Sequence, residues 1–126
     1  MSTGLKISAL FLIFAFTVSV NLNLSEKQNS LCLFNGATLV KSSNIYNYKL
    51  TCGTKSVSID LNYCLQNNRG NLQSGTGFTA TCSNCMLNFL GAIICNCMID
   101  TKVSKLSTFD IVSIIRYQNN NLSCVR

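Results

Sequence analysis

Four residues of this chain are acidic, and two of them, Asp60 and Asp110, stand in related settings. The first lies in "SIDLNYCLQNNRGNL", Ser58 to Leu72, and the second in "TFDIVSIIRYQNNNL", Thr108 to Leu122. Two carboxylates can serve as the acid and base of a glycosidase. They can also ligate calcium, but two Asp far apart and without acidic neighbours make a poor oxygen cage. A third role is to accept backbone N–H bonds at the start of a short helical turn. Each Asp follows a strand-like pattern and precedes an apolar turn, "LNYCL" or "IVSII", which favours the capping role for both. The chain has no His, which excludes Cys/His nucleophilic catalysis.

Asn67-Asn68-Arg69-Gly70 follows the first Asp. Gly permits a positive φ and Asn tolerates it, so a tight turn explains the Gly and one Asn. It does not explain the gathering of amides. An amide donates and accepts at fixed geometry, as sugar hydroxyls also do, so such a loop suits a neutral polyol.

These groups need a frame. The chain has 126 residues, which implies one domain or two very small lobes. Residues 1–20 read as a secretory signal peptide: Lys6, then the uncharged run "ISALFLIFAFTVSV", too short to span a bilayer. No later apolar run is long enough to span one, so no membrane contact is expected after cleavage. The eight cysteines all follow this segment, and an even count in a secreted chain reads as up to four disulfides. The ten basic residues are scattered singly, unlike the clusters of a nucleic-acid surface.

The chain resembles itself at an offset of fifty: Cys32 falls on Cys82, Ile59-Asp60-Leu61 on Phe109-Asp110-Ile111, and Leu72 on Leu122. A fixed period with two copies predicts a symmetric two-lobed domain over 30–125, with repeat one at about 30–74 and repeat two at about 78–124. "LCLFNGATLV" alternates and carries the hairpin signal Asn35-Gly36. "NIYNYKLTC" and "KSVSIDL" read as strands, and "GFTATCSNCMLNFLGAIICNCMI" as two strands around Leu90-Gly91. Long helical periodicity is absent. The fold class is therefore mostly all-β with short helical turns, stapled by disulfides.

The order Cys, hairpin, Cys, Ser-Ile-Asp-Leu-Asn, apolar turn, Asn-x-x-Gly-x-Leu, Phe, then a second degraded copy, resembles the cyanovirin-N homology family over roughly residues 30 to 124. The resemblance implies two intertwined pseudo-twofold lobes, no metal or cofactor, and lectin activity toward mannose-rich glycans. It also implies a sugar pocket beside the first copy's loop. Gln66, Asn67 and Arg69 match its loop positions, Thr76 and Gly77 its linker, and Thr81 the position before the repeat's first Cys. Gln66 and Arg69 stand where the family has acids, and Gly77 where it has an amide. A second, weaker pocket would use Arg116, Tyr117, Gln118 and Asn119.

The family's one bridge per lobe implies Cys32–Cys52 and Cys82–Cys97. Across the Leu90-Gly91 turn, Cys85 and Cys95 can form a second rung if a bulge corrects the faces, although the swapped pairing is also open. Cys64 and Cys124 then remain for each other. Cys82-x-x-Cys85 with Cys95-x-Cys97 also has permissive spacing for a four-thiolate zinc site, ranked below disulfides behind a signal peptide. The expected partners are glycans or glycoproteins. Asn23 and Asn121 head N-x-S sequons. The expected state is a monomer or a half-swapped dimer. The alternative is a secreted disulfide-rich structural or defence protein that keeps the fold without the sugar site.

Overall fold

The computed structural model describes residues 28–125; the signal-peptide segment and Asn23 lie outside the described residues. Two three-stranded antiparallel sheets and two hairpins make up the fold. The first sheet joins β1 (Thr38–Ser42), β2 (Ile45–Cys52) and β3 (Lys55–Asp60). A 3-10 turn, Leu61–Tyr63, leads to the hairpin β4 (Leu65–Asn68) and β5 (Asn71–Ser74). After a second 3-10 turn, Phe78–Ala80, the scheme repeats. The second sheet joins β6 (Cys82–Leu87), β7 (Ile93–Met98) and β8 (Ser104–Phe109). The turn Ile111–Ser113 and the hairpin β9 (Ile115–Gln118) and β10 (Asn121–Cys124) complete it.

The halves are intertwined. Hairpin β4–β5 packs on β8 of the second sheet, and hairpin β9–β10 packs on β3 of the first. Polar bonds reinforce the junction: Leu72 N donates to Ser107 Oγ at 2.8 Å across the first crossing, and Ser74 Oγ at the end of β5 donates to Val125 O just past β10 at 3.1 Å. Asn29 clamps the start of the described chain to β9, donating to Ile115 O at 3.1 Å and accepting from Tyr117 N at 2.6 Å. Between the halves lies a shared core in which Tyr48, Phe78, Leu61, Leu65, Ile93, Ile111 and Ile115 are fully buried. Alternation supplies it: in β2, Tyr46, Tyr48, Leu50 and Cys52 point inward while Lys49 and Thr51 face out.

Four disulfides staple this frame: Cys32–Cys52, Cys82–Cys97, Cys85–Cys95 and Cys64–Cys124. The register between β6 and β7 slips between Ser83 and Met86, and Asn84 in the slip has φ 52°. This bulge brings Cys85 to the face of Cys95, which plain alternation from Cys82 would deny it. The zinc alternative is thereby removed, since both sulfurs of each Cys-rich segment are consumed in bridges. Among the described residues no cluster of three metal-ligating side chains occurs.

Two local expectations need correction. Asn35-Gly36 does not turn a hairpin. It lies in a 3-10 turn, Phe34–Gly36, where Ala37 N donates to Phe34 O, and the hairpin turn falls instead at Ser43-Asn44 between β1 and β2. Asp60 and Asp110 both stand at the start of a 3-10 turn, but only Asp60 uses its side chain, Oδ1 accepting from Asn62 N at 2.9 Å. Asp110 makes no side-chain cap bond. Its backbone carbonyl accepts instead, from Ser113 N and from Ser113 Oγ at 2.7 Å. The first copy has Tyr63 at that place, whose hydroxyl sits at the far end of a ring and not on Cβ as in Ser113.

Candidate functional site

The first hairpin turns through Arg69 and Gly70, with φ values of 51° and 91°. Positive φ at both central residues is the type I′ turn that matches strand twist. The second hairpin makes the equivalent turn through Asn119 and Asn120, at 52° and 66°. Turn geometry therefore does not separate the two copies; their surroundings do. A Cβ on Gly70 would stand 2.8 Å from Ile99 Cγ1, so the bare backbone here lets the β7–β8 turn close over the hairpin.

That closure forms a cleft of about 300 Å³ lined by Asn67, Arg69, Thr81, Met98, Ile99, Asp100 and Thr101. Three residues of the expected site thus meet there, Asn67, Arg69 and Thr81. The others do not. Gln66 lies directly over Gly75, where it would overlap any added methyl. Thr76 is exposed on the linker, outside the cleft. Gly77, at φ 84°, starts the Phe78–Ala80 turn, and its N–H donates to Asn62 O at 2.9 Å. Met98 to Thr101 were not legible as site residues, because they end a strand with no amide or glycine signal and reach the loop only through the fold.

Asn67 proves to be a strut. Its Nδ2 donates to Thr81 Oγ1 and to Met98 O, both at 2.9 Å, and its Oδ1 accepts from Gly70 N at 2.7 Å. Both amide hydrogens are engaged inside the protein, so the amide braces the cleft that it also lines. Asp100 Oδ1 accepts from Lys102 N at 2.8 Å and Val103 N at 2.9 Å, which fixes the turn and leaves the other carboxylate oxygen toward solvent. The exposed Arg69 adds donors and no acceptor, while Thr81 and Thr101 add hydroxyls. An exposed rim of donor-only, acceptor-only and hydroxyl groups beside the apolar Met98 and Ile99 is suited to gripping a small polyhydroxylated ring. The carboxylates Asp60 and Asp110 are absent from the cleft lining.

A family model, described as the CVNH domain, matches residues 43–123. The chain belongs to the CVNH family. Among solved structures it is similar to the NMR structure of a CVNH protein from Gibberella zeae, with a TM-score of 0.60 and 14% identity. That likeness covers 79% of this chain and 97% of the other, and at this identity it speaks for the CVNH fold alone. No curated protein matches the sequence.

The residues carried by the second CVNH copy are placed differently. Tyr117 is buried, and its hydroxyl donates to Asn120 Oδ1 at 3.2 Å. Arg116 folds back, Nη1 donating to Ile115 O at 2.9 Å and Ser113 O at 3.3 Å. Gln118 and Asn119 are exposed on the hairpin.

Replacing Asn67 by Ala should destabilise the protein by about 1–2 kcal/mol, since hydrogen bonds net about 0.5–1.5 kcal/mol each and the buried Gly70 loses its partner. Asn67→Asp restores an acceptor for Gly70 N but no donor for Met98 O, and should recover part of the loss. Urea unfolding of both variants checks this. An Asn67→Ala protein as stable as wild type would show that the strut carries no weight.

Proposed function

We propose that this CVNH chain is a secreted glycan-binding protein whose site is the cleft between the first hairpin and the β7–β8 turn. The carrying observation is that Arg69 and Asp100 line the same cleft as Thr81 and Thr101. Vicinal sugar hydroxyls can accept from a guanidinium and donate to a carboxylate at once, and the ring's apolar face can rest on Met98 and Ile99. The family is a carbohydrate-binding one, which supports the class of ligand. Mannose-rich and related neutral glycans fit a cleft with one group of each sign and no net demand for a charged ligand. Four disulfides support an extracellular setting. Among the described residues no helix is long and apolar enough to cross a membrane.

The residues divide by role. Arg69, Asp100, Thr81 and Thr101 contact the sugar; Asn67 and Gly70 hold the cleft; Gln66 and Gly77 shape the linker beside it. The second copy's Arg116 and Tyr117 are turned to their own backbone and neighbours, so a site there is the weaker of the two.

Arg69→Ala and Asp100→Asn should each weaken binding of a mannose-rich oligosaccharide about 10-fold or more, because hydrogen bonds to charged groups carry about 1.5–3 kcal/mol. Asp100→Asn keeps an oxygen for Lys102 N and Val103 N, so melting should be unchanged. Gln118→Ala, on the second hairpin, should bind within about two-fold of wild type. Isothermal titration of the three variants checks it. Binding that survives both first-copy changes would place the site elsewhere. No binding by the wild type on a broad glycan array would favour the structural or defence role instead.

A further inference from the structure

The sequon Asn121-Leu122-Ser123 departs from the internal repeat. At the offset of fifty it falls on Asn71-Leu72-Gln73, which is no sequon. Asn121 opens β10 directly after the Asn119-Asn120 turn and is exposed. Its Nδ2 donates to Asn119 O at 3.3 Å, a bond that one of the two amide hydrogens serves. Replacing the other hydrogen leaves that bond in place, so the native fold has room for a substituent on this nitrogen. Asn67 is the contrast, because both of its amide hydrogens are engaged.

Alternation along β10 puts Ser123 on the same outward side as Asn121, ~7 Å farther along, with Leu122 turned to the core. Ser123 also belongs to the lining of a second cavity, of about 400 Å³, where β10 crosses β3. Ile59, Tyr63, Leu122 and Cys124 complete that lining, and none of the five is charged. Tyr63 is 66% exposed although it borders apolar neighbours. Here too the repeat is broken. Tyr63 falls on Ser113, so the other crossing, of β5 with β8, has no aromatic group at that place. The sequon and the aromatic wall are independent departures from the repeat, and they meet at one crossing.

We propose that Asn121 carries an N-linked glycan whose first N-acetylglucosamine units lie in this groove against Tyr63. The linkage joins Asn121 Nδ2 to the anomeric carbon of an oligosaccharide donor, a lipid-linked diphosphate of the secretory membrane. The bond from that carbon to the diphosphate oxygen breaks and the diphosphate leaves with the electron pair. One amide proton goes to base, and nothing is oxidised or reduced. The groove fits the chemistry of the sugar. Its ring face and acetyl methyl are apolar and can rest on Tyr63, Ile59 and Leu122. Its hydroxyls and acetamide are neutral and can bond to the Ser123 and Tyr63 hydroxyls. Attachment two residues away makes the contact intramolecular, at a millimolar effective concentration, so a weak contact suffices to hold it. The proposal rests on the reading of the chain as secreted and not on what the first-copy cleft binds.

Peptide mass analysis of the chain collected from the medium of a eukaryotic secreting host tests the linkage. After reduction and trypsin, peptide 117–126 should carry hexose and N-acetylhexosamine mass. Enzymatic release of the glycan in heavy-oxygen water should leave a labelled carboxyl in place of the Asn121 amide. Asn121→Gln and Ser123→Ala should abolish the modification, and Ser123→Thr and Tyr63→Ala should keep it. Thermal melting tests the groove. Asn121→Gln should melt roughly 4 °C below the glycosylated wild type, and the same change in a Tyr63→Ala background should shift melting by less than about 1 °C. An unmodified peptide from the secreted chain overturns the proposal. Binding of free diacetylchitobiose by that unmodified chain, lost in Tyr63→Ala, would then give the groove to a soluble sugar. Equal melting shifts in the two backgrounds overturn the groove contact. A chain kept inside the cells with residues 1–20 uncleaved would sink the secreted reading itself, and this proposal with it.

Discussion

Removing both sulfurs of the Cys64–Cys124 bridge should cost this protein about 4 kcal/mol and lower its melting temperature by roughly 20 °C. The bridge closes a separation of 60 residues, whereas Cys85–Cys95 closes 10. The chain-entropy cost of opening rises with the logarithm of loop length, so the same relation gives about 3 kcal/mol for the shorter loop. Position adds to length. Cys32–Cys52 lies within the first half, and Cys82–Cys97 and Cys85–Cys95 lie within the second. Cys64–Cys124 alone among the four joins the halves, tying the end of the Leu61–Tyr63 turn to β10. Guanidinium unfolding of Cys64→Ser/Cys124→Ser beside Cys85→Ser/Cys95→Ser measures the difference. A smaller loss in the first pair than in the second would show that the junction holds without its bridge.

At alkaline pH the stability should fall by about 2–3 kcal/mol through one buried phenol. Tyr48 is fully buried at the centre of β2, and its hydroxyl has no hydrogen-bond partner among the described residues. Burial, and then the Asp110 carboxylate, push its pKa up from 10.0 to about 12. The folded state thus holds the proton more tightly than the unfolded chain. That contribution is complete below pH 10 and is lost as the pH rises to about 12. Tyr48→Phe should flatten the decline over this window. At neutral pH it should match or exceed wild-type stability, because an unpaired buried hydroxyl is removed without changing the ring. Asp110→Asn should flatten the decline in part. Urea unfolding at pH 8, 9.5 and 11, with short exposure, reads all three. An alkaline loss that Tyr48→Phe keeps in full would assign the effect to other groups.

Much of the fold was legible because the duplicated modules carry few insertions after Asp60. The turns Leu61–Tyr63 and Ile111–Ser113, and the hairpins that follow them, keep the offset of fifty element by element. The second rung at Cys85 and Cys95 was legible only as one of two pairings, and the bulge at Asn84 decides between them. Ser43, a residue without a bias toward positive φ, takes it between β1 and β2, while Asn35-Gly36, which has that bias, does not. Tertiary packing of Phe34 and Ala37 against the core overrides the local signal there. Of the residues lining the cleft, Asn67, Arg69 and Thr81 were among those that the loop and its resemblance pointed to. Asp100 and Thr101 were not, since a strand end acquires meaning only when Gly70 lets another half of the chain lie against it. Asn67 shows the complementary limit: its residue type suggests a ligand contact, and only the three bonds it makes show that it is occupied.

The single disulfide between the halves has a consequence for the order of events in assembly. If two chains exchanged halves through the short linker at 75–77, each Cys64 would meet the Cys124 of the other chain. Oxidation would then weld the pair together with two interchain bonds, and no dilution could part them. Oxidation before exchange would weld each chain to itself and forbid exchange thereafter. The oligomeric outcome is thus a memory of which came first, docking or oxidation, written in sulfur and readable on a non-reducing gel long after the folding conditions are gone.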